Sequence, residues 1–250
     1  AFCIGTNHID LDAASRRGIA VFNAPYSNTR SVVELAIGLL ITLMRGVADR
    51  SVAMHQGRWN KSAKGSRELR GKTLGIVGYG AIGSQLSVLA EGLGMRVIYH
   101  DLSERLALGN ARAMMALDDL LAEADAVSLH VDGRAGNRLL IGPPELARMK
   151  PGALLINLSR GHVVDIDALA EVMKAGRLGG AAIDVFPEEP RTNQDPFDSP
   201  LRGLANVILT PHVGGSTEEA QEAIGAFAAS RLLGYLNRGD TTFCVNLPNV

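Results

Sequence analysis

The stretch that decides the fold is Thr73-Leu74-Gly75-Ile76-Val77-Gly78-Tyr79-Gly80-Ala81-Ile82-Gly83. It begins as an apolar run typical of a strand buried on both faces, turns through glycines, and continues with the spacing of a helix. The next predicted strand, Arg96–His100, ends directly before an acidic residue, Asp101. This order of strand, glycine-rich turn, helix, strand and acid predicts the first βαβ unit of a parallel sheet.

Each glycine of the turn has a physical reason in a dinucleotide site. Gly78 allows the tight turn, Gly80 lets the backbone approach a pyrophosphate, and Gly83 lets the helix pack against the strand. A turn that serves packing alone is disfavoured, because the strand, the helix and the acid are all in place. With no cation expected directly beside it, Asp101 would bind the ribose hydroxyls and repel a 2′-phosphate. The sequence therefore predicts NAD, with NADH bound at least about tenfold more tightly than NADPH.

From Lys72 onward, apolar strands alternate with helices, which predicts a parallel sheet covered on both faces. The predicted strands are Thr73–Val77, Arg96–His100, Ala126–Val131, Ala153–Leu158, Gly180–Val185 and Val207–Thr210. The predicted helices are Ile82–Leu93, Leu117–Ala124, a short helix after Pro143-Pro144, and Asp167–Ala175. The predicted fold class is therefore α/β, with a Rossmann-type doubly wound parallel sheet.

The residues on either side of this alternation predict further elements. These are a strand at Phe2–Ile4, a helix at Leu11–Arg17, a strand at Ile19–Phe22, a long helix within residues 28–57, and a last helix from Ser216 to about Leu236. Ser31 and Ser216 are the predicted N-caps of the two long helices, each with a glutamate three residues on. The first long helix has two apolar faces, which predicts burial against another lobe or another subunit.

The composition is that of a globular protein in which basic and acidic residues are nearly equal in number. The 250 residues include 25 lysines and arginines against 26 acidic residues, which gives a net charge of −1. This balance disfavours nucleic acid and anionic membranes as partners, and the sequence has no apolar run of membrane-spanning length and no leader pattern. Two distant cysteines, Cys3 and Cys244, fit a reducing compartment, so we expect a cytoplasmic protein. No metal-ligand spacing is present, and no metal site is predicted.

Three charged side chains follow predicted strands, at the edge where open α/β sheets bind ligands. They lie in the segments Asn157-Leu158-Ser159-Arg160-Gly161, Asp184-Val185-Phe186-Pro187-Glu188-Glu189-Pro190 and Thr210-Pro211-His212-Val213-Gly214-Gly215. Singly, each is often a solvated or packing residue. Together they suit redox chemistry at a hydroxyl beside a carboxylate. Arg160 can hold the carboxylate, His212 can take the hydroxyl proton, and Glu189 can orient the imidazole.

The chain resembles the D-isomer-specific 2-hydroxyacid dehydrogenases over essentially all of its length. The resemblance rests on the glycine turn, the three site segments, Cys3-Ile4-Gly5-Thr6-Asn7, Asn23 to Val32, Arg58-Trp59-Asn60-Lys61 and Ser128-Leu129-His130-Val131. The stretch from Asn23 to Val32 is the most particular, and is similar to members that oxidise 3-phospho-D-glycerate to 3-phosphohydroxypyruvate. The resemblance implies this NAD-dependent reaction, the first step of serine biosynthesis.

By the resemblance, Arg160, Glu189 and His212 are the catalytic residues, and Asn28 lies with Arg160 near the substrate. Asp184 would bind the nicotinamide amide. The residues implied along NAD are Gly78, Gly80, Ala81, Ile82, Gly83, Asp101, Leu158, Asp184, His212, Gly214 and Gly215. The implied partners are a small-molecule substrate and further copies of the chain, in a homodimer or homotetramer.

The resemblance also implies a domain division. Residues 28–214 form an NAD-binding domain, and residues 1–27 and 215–250 form part of a flavodoxin-like substrate-binding domain. By this division, the N-terminal portion of that lobe and any C-terminal regulatory domain are expected to be absent from these residues. One loop departs from the family pattern, which has a proline and a threonine where this chain has Asp132 and Asn137. Because this loop borders the adenine side, the departure is expected to alter cofactor affinity rather than catalysis.

Two alternatives stay open. A sister enzyme that reduces hydroxypyruvate, glyoxylate or another 2-oxo acid would carry the same Arg160, Glu189 and His212. A non-enzymatic NAD-sensing protein, similar to the transcriptional corepressors of the family, would also keep them, although the match at Ser27–Val32 argues against it. Turnover of phosphohydroxypyruvate with NADH would separate an enzyme from a sensor.

Overall fold

Seven parallel strands form the core of the larger unit, Val32–Gly214, in a computed structural model that describes residues 1–6 and 8–247. The strands are β1 (Thr73–Val77), β2 (Arg96–His100), β3 (Arg112–Ala113), β4 (Ala126–Leu129), β5 (Leu154–Asn157), β6 (Gly180–Ile183) and β7 (Val207–Leu209). Their order across the sheet is β3-β2-β1-β4-β5-β6-β7, which confirms the predicted Rossmann-type fold. The order reverses between β1 and β4, and ligands bind at such a switch point.

Eight α-helices accompany the strands in the described part of the chain. They are α1 (Leu11–Arg16), α2 (Thr29–Arg45), α3 (Val47–His55), α4 (Ala81–Gly92), α5 (Leu117–Glu123), α6 (Pro143–Arg148), α7 (Ile166–Lys174) and α8 (Glu218–Arg238). Short 3-10 turns lie at Ala135–Asn137 and Gly161–Val163. Every helix and strand predicted between Lys72 and Thr210 is present with slightly different ends, and β3 is an exposed two-residue addition.

The strands supply two separate hydrophobic cores, because successive side chains of a strand point to opposite faces of the sheet. On one face, Leu74 and Ile76 pack with apolar residues of α2 and α4. On the other face, Val77 and Val127 pack with apolar residues of α5, α6 and α7. All residues of β1, β4, β5 and β6 are buried, which explains their near-continuous apolar sequence.

A long helix, α2, lies within residues 28–57 as predicted, but it ends before Gly46, and α3 follows at an angle of 66° to it. Gly46 has φ of 57°, in the left-handed region that glycine adopts most readily. Within this chain Leu40 is 1% exposed, whereas Ile41 is 41% exposed. Among the described helices none is long and apolar enough by itself to cross a membrane, and only α2 with α3, as a bent pair, meets the length and composition of a span.

The two serines predicted as N-caps, Ser31 and Ser216, do not cap their helices. α2 begins at Thr29, so Ser31 lies inside its first turn, and the Ser31 hydroxyl lies 2.9 Å from the hydroxyl of Thr217. Thr217, rather than Ser216, is the N-cap of α8, since its side chain accepts a hydrogen bond from the Ala220 amide. In both cases another residue with a side-chain hydroxyl lies close by in the sequence, and the capping motif alone does not choose between them.

The smaller unit comprises Ala1–Ser31 and Gly215–Val250 and contains α1 and α8. The strands predicted at Phe2–Ile4 and Ile19–Phe22 do not form: Phe22 makes a single antiparallel bridge with Cys244. A single bridge does not extend into a ladder, so the apolar pattern of these two segments does not produce strands. Asn7, part of one sequence motif quoted above, lies outside the described residues.

Candidate cofactor and catalytic site

The glycine turn lies between β1 and α4, beside the switch point of the sheet. Gly78 has φ of 91°, and a Cβ at this position would lie 2.6 Å from the carbonyl oxygen of His130. A Cβ on Gly83 would lie 2.2 Å from the carbonyl oxygen of Gly78. Both distances are far shorter than a van der Waals contact, so both positions require glycine for the turn itself.

Gly80 differs from its two neighbours, because a Cβ at this position would meet nothing within 4 Å. It is the N-cap residue of α4, and no side chain caps the amides of the first helical turn, which begins with Ala81 and Ile82. Open space therefore adjoins an uncapped helix N-terminus, where backbone amides and the helix dipole favour an anion. The residues present fit the pyrophosphate of a dinucleotide.

A cavity of about 310 Å³ extends from this turn to the residue that follows β2, Asp101, and to the loop after β4. One carboxylate oxygen of Asp101 accepts a hydrogen bond from the Tyr79 amide at 2.8 Å, and the other accepts one from the Ser103 amide at 2.9 Å. Burial opposes ionisation of Asp101, but these two bonds and Arg105 hold its pKa below the usual value. Asp101 is therefore a fixed, ionised acceptor at the position suited to a ribose.

The expectation that no cation lies beside Asp101 is wrong. The Arg105 Nε atom lies 3.5 Å from an Asp101 carboxylate oxygen, and Arg105 and Arg134 both line the cavity. The sequence does not indicate this pair, because residues 101–111 form an irregular loop. In such a loop the spacing of residues does not show where their side chains point. Arg105 offsets part of the repulsion that Asp101 would exert on a 2′-phosphate.

We expect Arg105→Gln to widen the preference for NADH over NADPH. Two unit charges about 4 Å apart in water interact with about 1 kcal/mol, which corresponds to about fivefold in Kd. The variant should therefore bind NADPH about fivefold more weakly while its affinity for NADH changes little, as calorimetric titration with each cofactor would show. Arg112→Gln is the matched control, because Arg112 pairs with Glu123. An equal loss of affinity for both cofactors would contradict the role given to Arg105.

His130 follows β4 and lines the same cavity. Its Nε2 atom lies 2.8 Å from the Ser128 hydroxyl, and its Nδ1 atom is buried without a hydrogen-bond partner in the described part of the chain. Burial lowers the pKa of His130 from 6.5 to about 4. The folded protein therefore holds this imidazole neutral at physiological pH.

Acidification should destabilise the fold through His130. The unfolded chain takes up this proton as the pH falls through about 6.5, whereas the folded chain does so only near 4, so stability is lost across that window. We expect the melting temperature of His130→Gln to fall less between neutral pH and pH 5 than that of the natural protein. The same decrease in both proteins would show that another group governs acid unfolding.

The loop after β4 contains the two departures from the family pattern. An Asp132 carboxylate oxygen accepts hydrogen bonds from Arg134 Nε at 2.7 Å and from Asn137 Nδ2 at 3.0 Å. Asn137 Nδ2 also donates to the backbone carbonyl of Asp132 at 3.0 Å, and the bonds from Arg134 lower the pKa of Asp132. The two residues that depart from the family pattern, Asp132 and Asn137, are thus hydrogen-bonded to each other.

The three candidate catalytic residues follow β5, β6 and β7, which are neighbours in the sheet. His212 Nδ1 lies 2.9 Å from a carboxylate oxygen of Glu189, whose other oxygen accepts a hydrogen bond from the Phe186 amide at 3.1 Å. The side chains of His212 and Glu189 are 51% and 37% exposed. The imidazole therefore has a fixed acidic partner and remains accessible to a small molecule.

Arg160 is half-buried in the loop after β5. Its backbone carbonyl accepts a hydrogen bond from Asn157 Nδ2 at 3.0 Å, and its Nη1 atom donates to the Ser159 carbonyl at 2.7 Å. A Cβ on Gly161 would lie 1.9 Å from the carbonyl carbon of Phe186, so the Arg160 loop and the Glu189 loop are in direct backbone contact. The other N–H donors of the guanidinium can bind a carboxylate.

The remaining residues assigned from the sequence lie in both units. Leu158 and Asp184 are buried beside the strand ends of the larger unit, which also contains Gly214. Asn28 and Gly215 belong to the smaller unit, where a Cβ on Gly215 would lie 2.2 Å from Asn28 Nδ2. The Asn28 Oδ1 atom is buried and has no hydrogen-bond partner within residues 1–6 and 8–247.

Within the described residues, no group of three or more His, Cys, Asp or Glu side chains could hold a metal ion. Cys3 and Cys244 are free thiols.

Comparison with known proteins identifies a matching family model and named relatives. Residues 37–214 match the NAD binding domain of the D-isomer specific 2-hydroxyacid dehydrogenases. The chain is 57% identical over 249 residues to D-3-phosphoglycerate dehydrogenase of Escherichia coli (strain K12), and 51% identical over 257 residues to D-3-phosphoglycerate dehydrogenase 1 of Saccharomyces cerevisiae. These matches cover 100% of this chain but only 61% and 55% of the relatives, so the chain spans less than two thirds of their length.

A solved structure shows the same fold. The crystal structure of D-lactate dehydrogenase from Aquifex aeolicus, complexed with NAD and lactic acid, matches with a TM-score of 0.87 and 29% identity, over 99% of this chain and 79% of that one. The family profile matches well over half of the chain, and the glycine turn, the cavity and Asp101 fit the dinucleotide that the profile names. The chain therefore belongs to the D-isomer specific 2-hydroxyacid dehydrogenases, and NAD is its cofactor.

Proposed function

We propose that the protein is an NAD-dependent dehydrogenase that oxidises 3-phospho-D-glycerate to 3-phosphohydroxypyruvate, the first step of serine biosynthesis. The observation that carries the proposal is the contact of 2.9 Å between His212 and Glu189, at the edge of an NAD-binding sheet where Arg160 also lies. The choice of substrate is supported by the identity of 57% to a relative named for that reaction.

His212 is the proposed proton carrier. With its Nδ1–H donated to Glu189, the imidazole leaves Nε2 free to accept the proton of the substrate hydroxyl. The carboxylate of Glu189 then stabilises the positive charge that develops on the ring. In the reverse direction the imidazolium returns the proton to the carbonyl oxygen. Bound NAD would supply the acceptor for the hydride that leaves the carbon bearing the hydroxyl.

Arg160 is the proposed carboxylate clamp. A planar guanidinium can bind both oxygens of a carboxylate, which fixes the neighbouring carbon relative to the base. Asn28 and Gly215, in contact within the smaller unit, are proposed to contact the substrate and the cofactor. We also propose that residues 28–214 form the NAD-binding domain. Residues 1–27 and 215–250 are proposed to form part of a substrate-binding domain.

We further propose a cytoplasmic homodimer or homotetramer with no nucleic-acid or membrane partner. Support for self-association comes from apolar side chains on and after α3: Val52, Met54 and Trp59 are 55%, 51% and 78% exposed. Large exposed apolar side chains are enriched in surfaces that associate with another protein surface, and Met54 and Trp59 line the same surface cavity.

The substrate assignment is tested with the full-length protein in a spectrophotometric NADH assay. We expect kcat/KM for 3-phosphohydroxypyruvate to exceed the values for hydroxypyruvate and glyoxylate, which lack the phosphate. A higher kcat/KM for either unphosphorylated acid would instead indicate a sister reductase. Binding of NADH without turnover of any of the three acids would indicate a sensor and overturn the enzymatic proposal.

A further inference from the structure

We propose that Asp184 is a positioning residue for His212: its carboxylate fixes the turn that presents the imidazole to Glu189. The inference deepens the proposed function, because it rests on His212 as the proton carrier. It differs from the contact with the nicotinamide amide that the family resemblance assigns to Asp184.

The carboxylate of Asp184 is bound by residues on both sides of His212. One oxygen accepts hydrogen bonds from the Thr210 hydroxyl at 2.6 Å and from the Val213 amide at 2.9 Å. The other oxygen accepts a hydrogen bond from the Gly214 amide at 2.9 Å. Asp184 is only 1% exposed, so these three donors replace water around the buried carboxyl group.

The backbone of Asp184 is bound to the same turn. Its carbonyl oxygen accepts a hydrogen bond from the His212 amide at 2.8 Å, while its own amide donates to the Asn157 carbonyl at 3.0 Å. Because Asn157 is the last residue of β5, the turn is anchored through Asp184 to an inner strand of the sheet. The position of His212 is thus fixed relative to the strand that precedes Arg160.

His212 has an unusual backbone conformation that requires such support. Its φ of 53° lies in the left-handed region, which costs free energy for a residue that has a Cβ. A backbone in this conformation persists where the surrounding bonds hold it, and Asp184 supplies bonds before, at and after the residue. Without them, we expect the turn to relax toward ordinary backbone angles and the imidazole to leave Glu189.

The partner of the imidazole is held by a different set of bonds. Glu189 accepts a hydrogen bond from the Phe186 amide within its own loop, and this bond does not involve the Asp184 carboxylate. The contact of 2.9 Å between Glu189 and His212 therefore reports whether the Asp184 turn is in place. This contact joins two protein side chains, so it can be measured separately from any contact with the nicotinamide.

Two variants and one control test the proposal in the full-length protein. Asp184→Asn replaces an acceptor by an amide whose NH2 group would face another donor, and Thr210→Val removes one donor with little change of shape. Asp125→Asn is the control, since the Asp125 carboxylate accepts from the Thr73 amide at 2.8 Å and from Lys150 at 2.9 Å, at the start of β1 rather than at the site. The first readout is the tautomer of His212, measured by long-range ¹H–¹⁵N NMR without cofactor.

We expect the natural protein and Asp125→Asn to show neutral His212 protonated on Nδ1, the atom that faces Glu189. Asp184→Asn and Thr210→Val should show a mixture of tautomers. In the turnover assay, kcat should fall by roughly 10–100-fold in Asp184→Asn and less in Thr210→Val, because small displacements of a catalytic group have effects of this size. NADH affinity, measured by calorimetry, should change much less than kcat.

Other outcomes would overturn the inference. Weaker NADH binding by Asp184→Asn with an unchanged His212 tautomer would show that Asp184 acts on the cofactor alone. An equal change of tautomer and kcat in Asp125→Asn would show a general loss of stability. Since the NMR readout needs no substrate, it also distinguishes a failure of this inference from a failure of the proposed reaction.

Discussion

Replacing His212 by alanine is expected to lower kcat by roughly 10²–10⁴-fold, the usual contribution of a positioned general base. NADH affinity should remain nearly unchanged, because the imidazole acts on the substrate proton. Steady-state kinetics with 3-phosphohydroxypyruvate and calorimetry with NADH measure the two quantities on the same preparation. Near-normal kcat in His212→Ala would contradict the mechanism.

Glu189→Gln is a milder variant, whose decrease of kcat is compared with that of His212→Ala. In the natural protein the Glu189 carboxylate lies 2.9 Å from His212 Nδ1. Glutamine has nearly the same shape, so the variant removes only the negative charge. We expect a smaller decrease of kcat than in His212→Ala, because the base remains and only its orientation and charge stabilisation are weakened. A larger decrease than in His212→Ala would mean that Glu189 itself carries the proton.

The second large effect is expected for Gly80→Ala, which should bind NADH at least about tenfold more weakly, a difference of about 1.4 kcal/mol. The added methyl group meets no protein atom within 4 Å and occupies the space into which the pyrophosphate would approach the backbone. The melting temperature should therefore stay close to that of the natural protein. Calorimetry with NADH and thermal unfolding measure the two effects.

Gly92→Ala is the matched control for Gly80→Ala, since its added Cβ also meets nothing within 4 Å and it lies in the same helix, at the other end. It should leave NADH affinity unchanged. Gly83→Ala is the opposite case, because its Cβ would lie 2.2 Å from a backbone oxygen, and it should lower both stability and affinity. Unaltered NADH affinity in Gly80→Ala would place the cofactor elsewhere.

The sheet could be predicted because its signal is local. β1 and β5 are apolar runs buried on both faces, and the glycine turn has a separate physical reason at each position. The break at Gly46 could not be found from the same pattern, since apolar residues continue on both sides of it. The strands expected at Phe2–Ile4 and Ile19–Phe22 failed because a strand also depends on a neighbouring segment, which local sequence does not describe.

The sequence predicted those residues of the candidate site that directly follow strands of the sheet. The rule that ligands bind at the carboxyl ends of parallel strands selected Glu189 and His212, and the structure brings them into contact. The positions of Arg105 beside Asp101 and of Asp184 within the His212 turn depend on the path of irregular loops. Charge and spacing alone do not indicate which of the chain's many acidic and basic residues meet in this way.

We have proposed that the residues at this sheet edge reduce the carbonyl of 3-phosphohydroxypyruvate with NADH and form the hydroxyl in the D configuration. The most direct measurement incubates the full-length protein with NADH and 3-phosphohydroxypyruvate and determines the amount and configuration of the phosphoglycerate formed. The account predicts the D isomer alone, in an amount equal to the NADH consumed. Formation of the L isomer, or no phosphoglycerate from a protein that binds NADH, would contradict it.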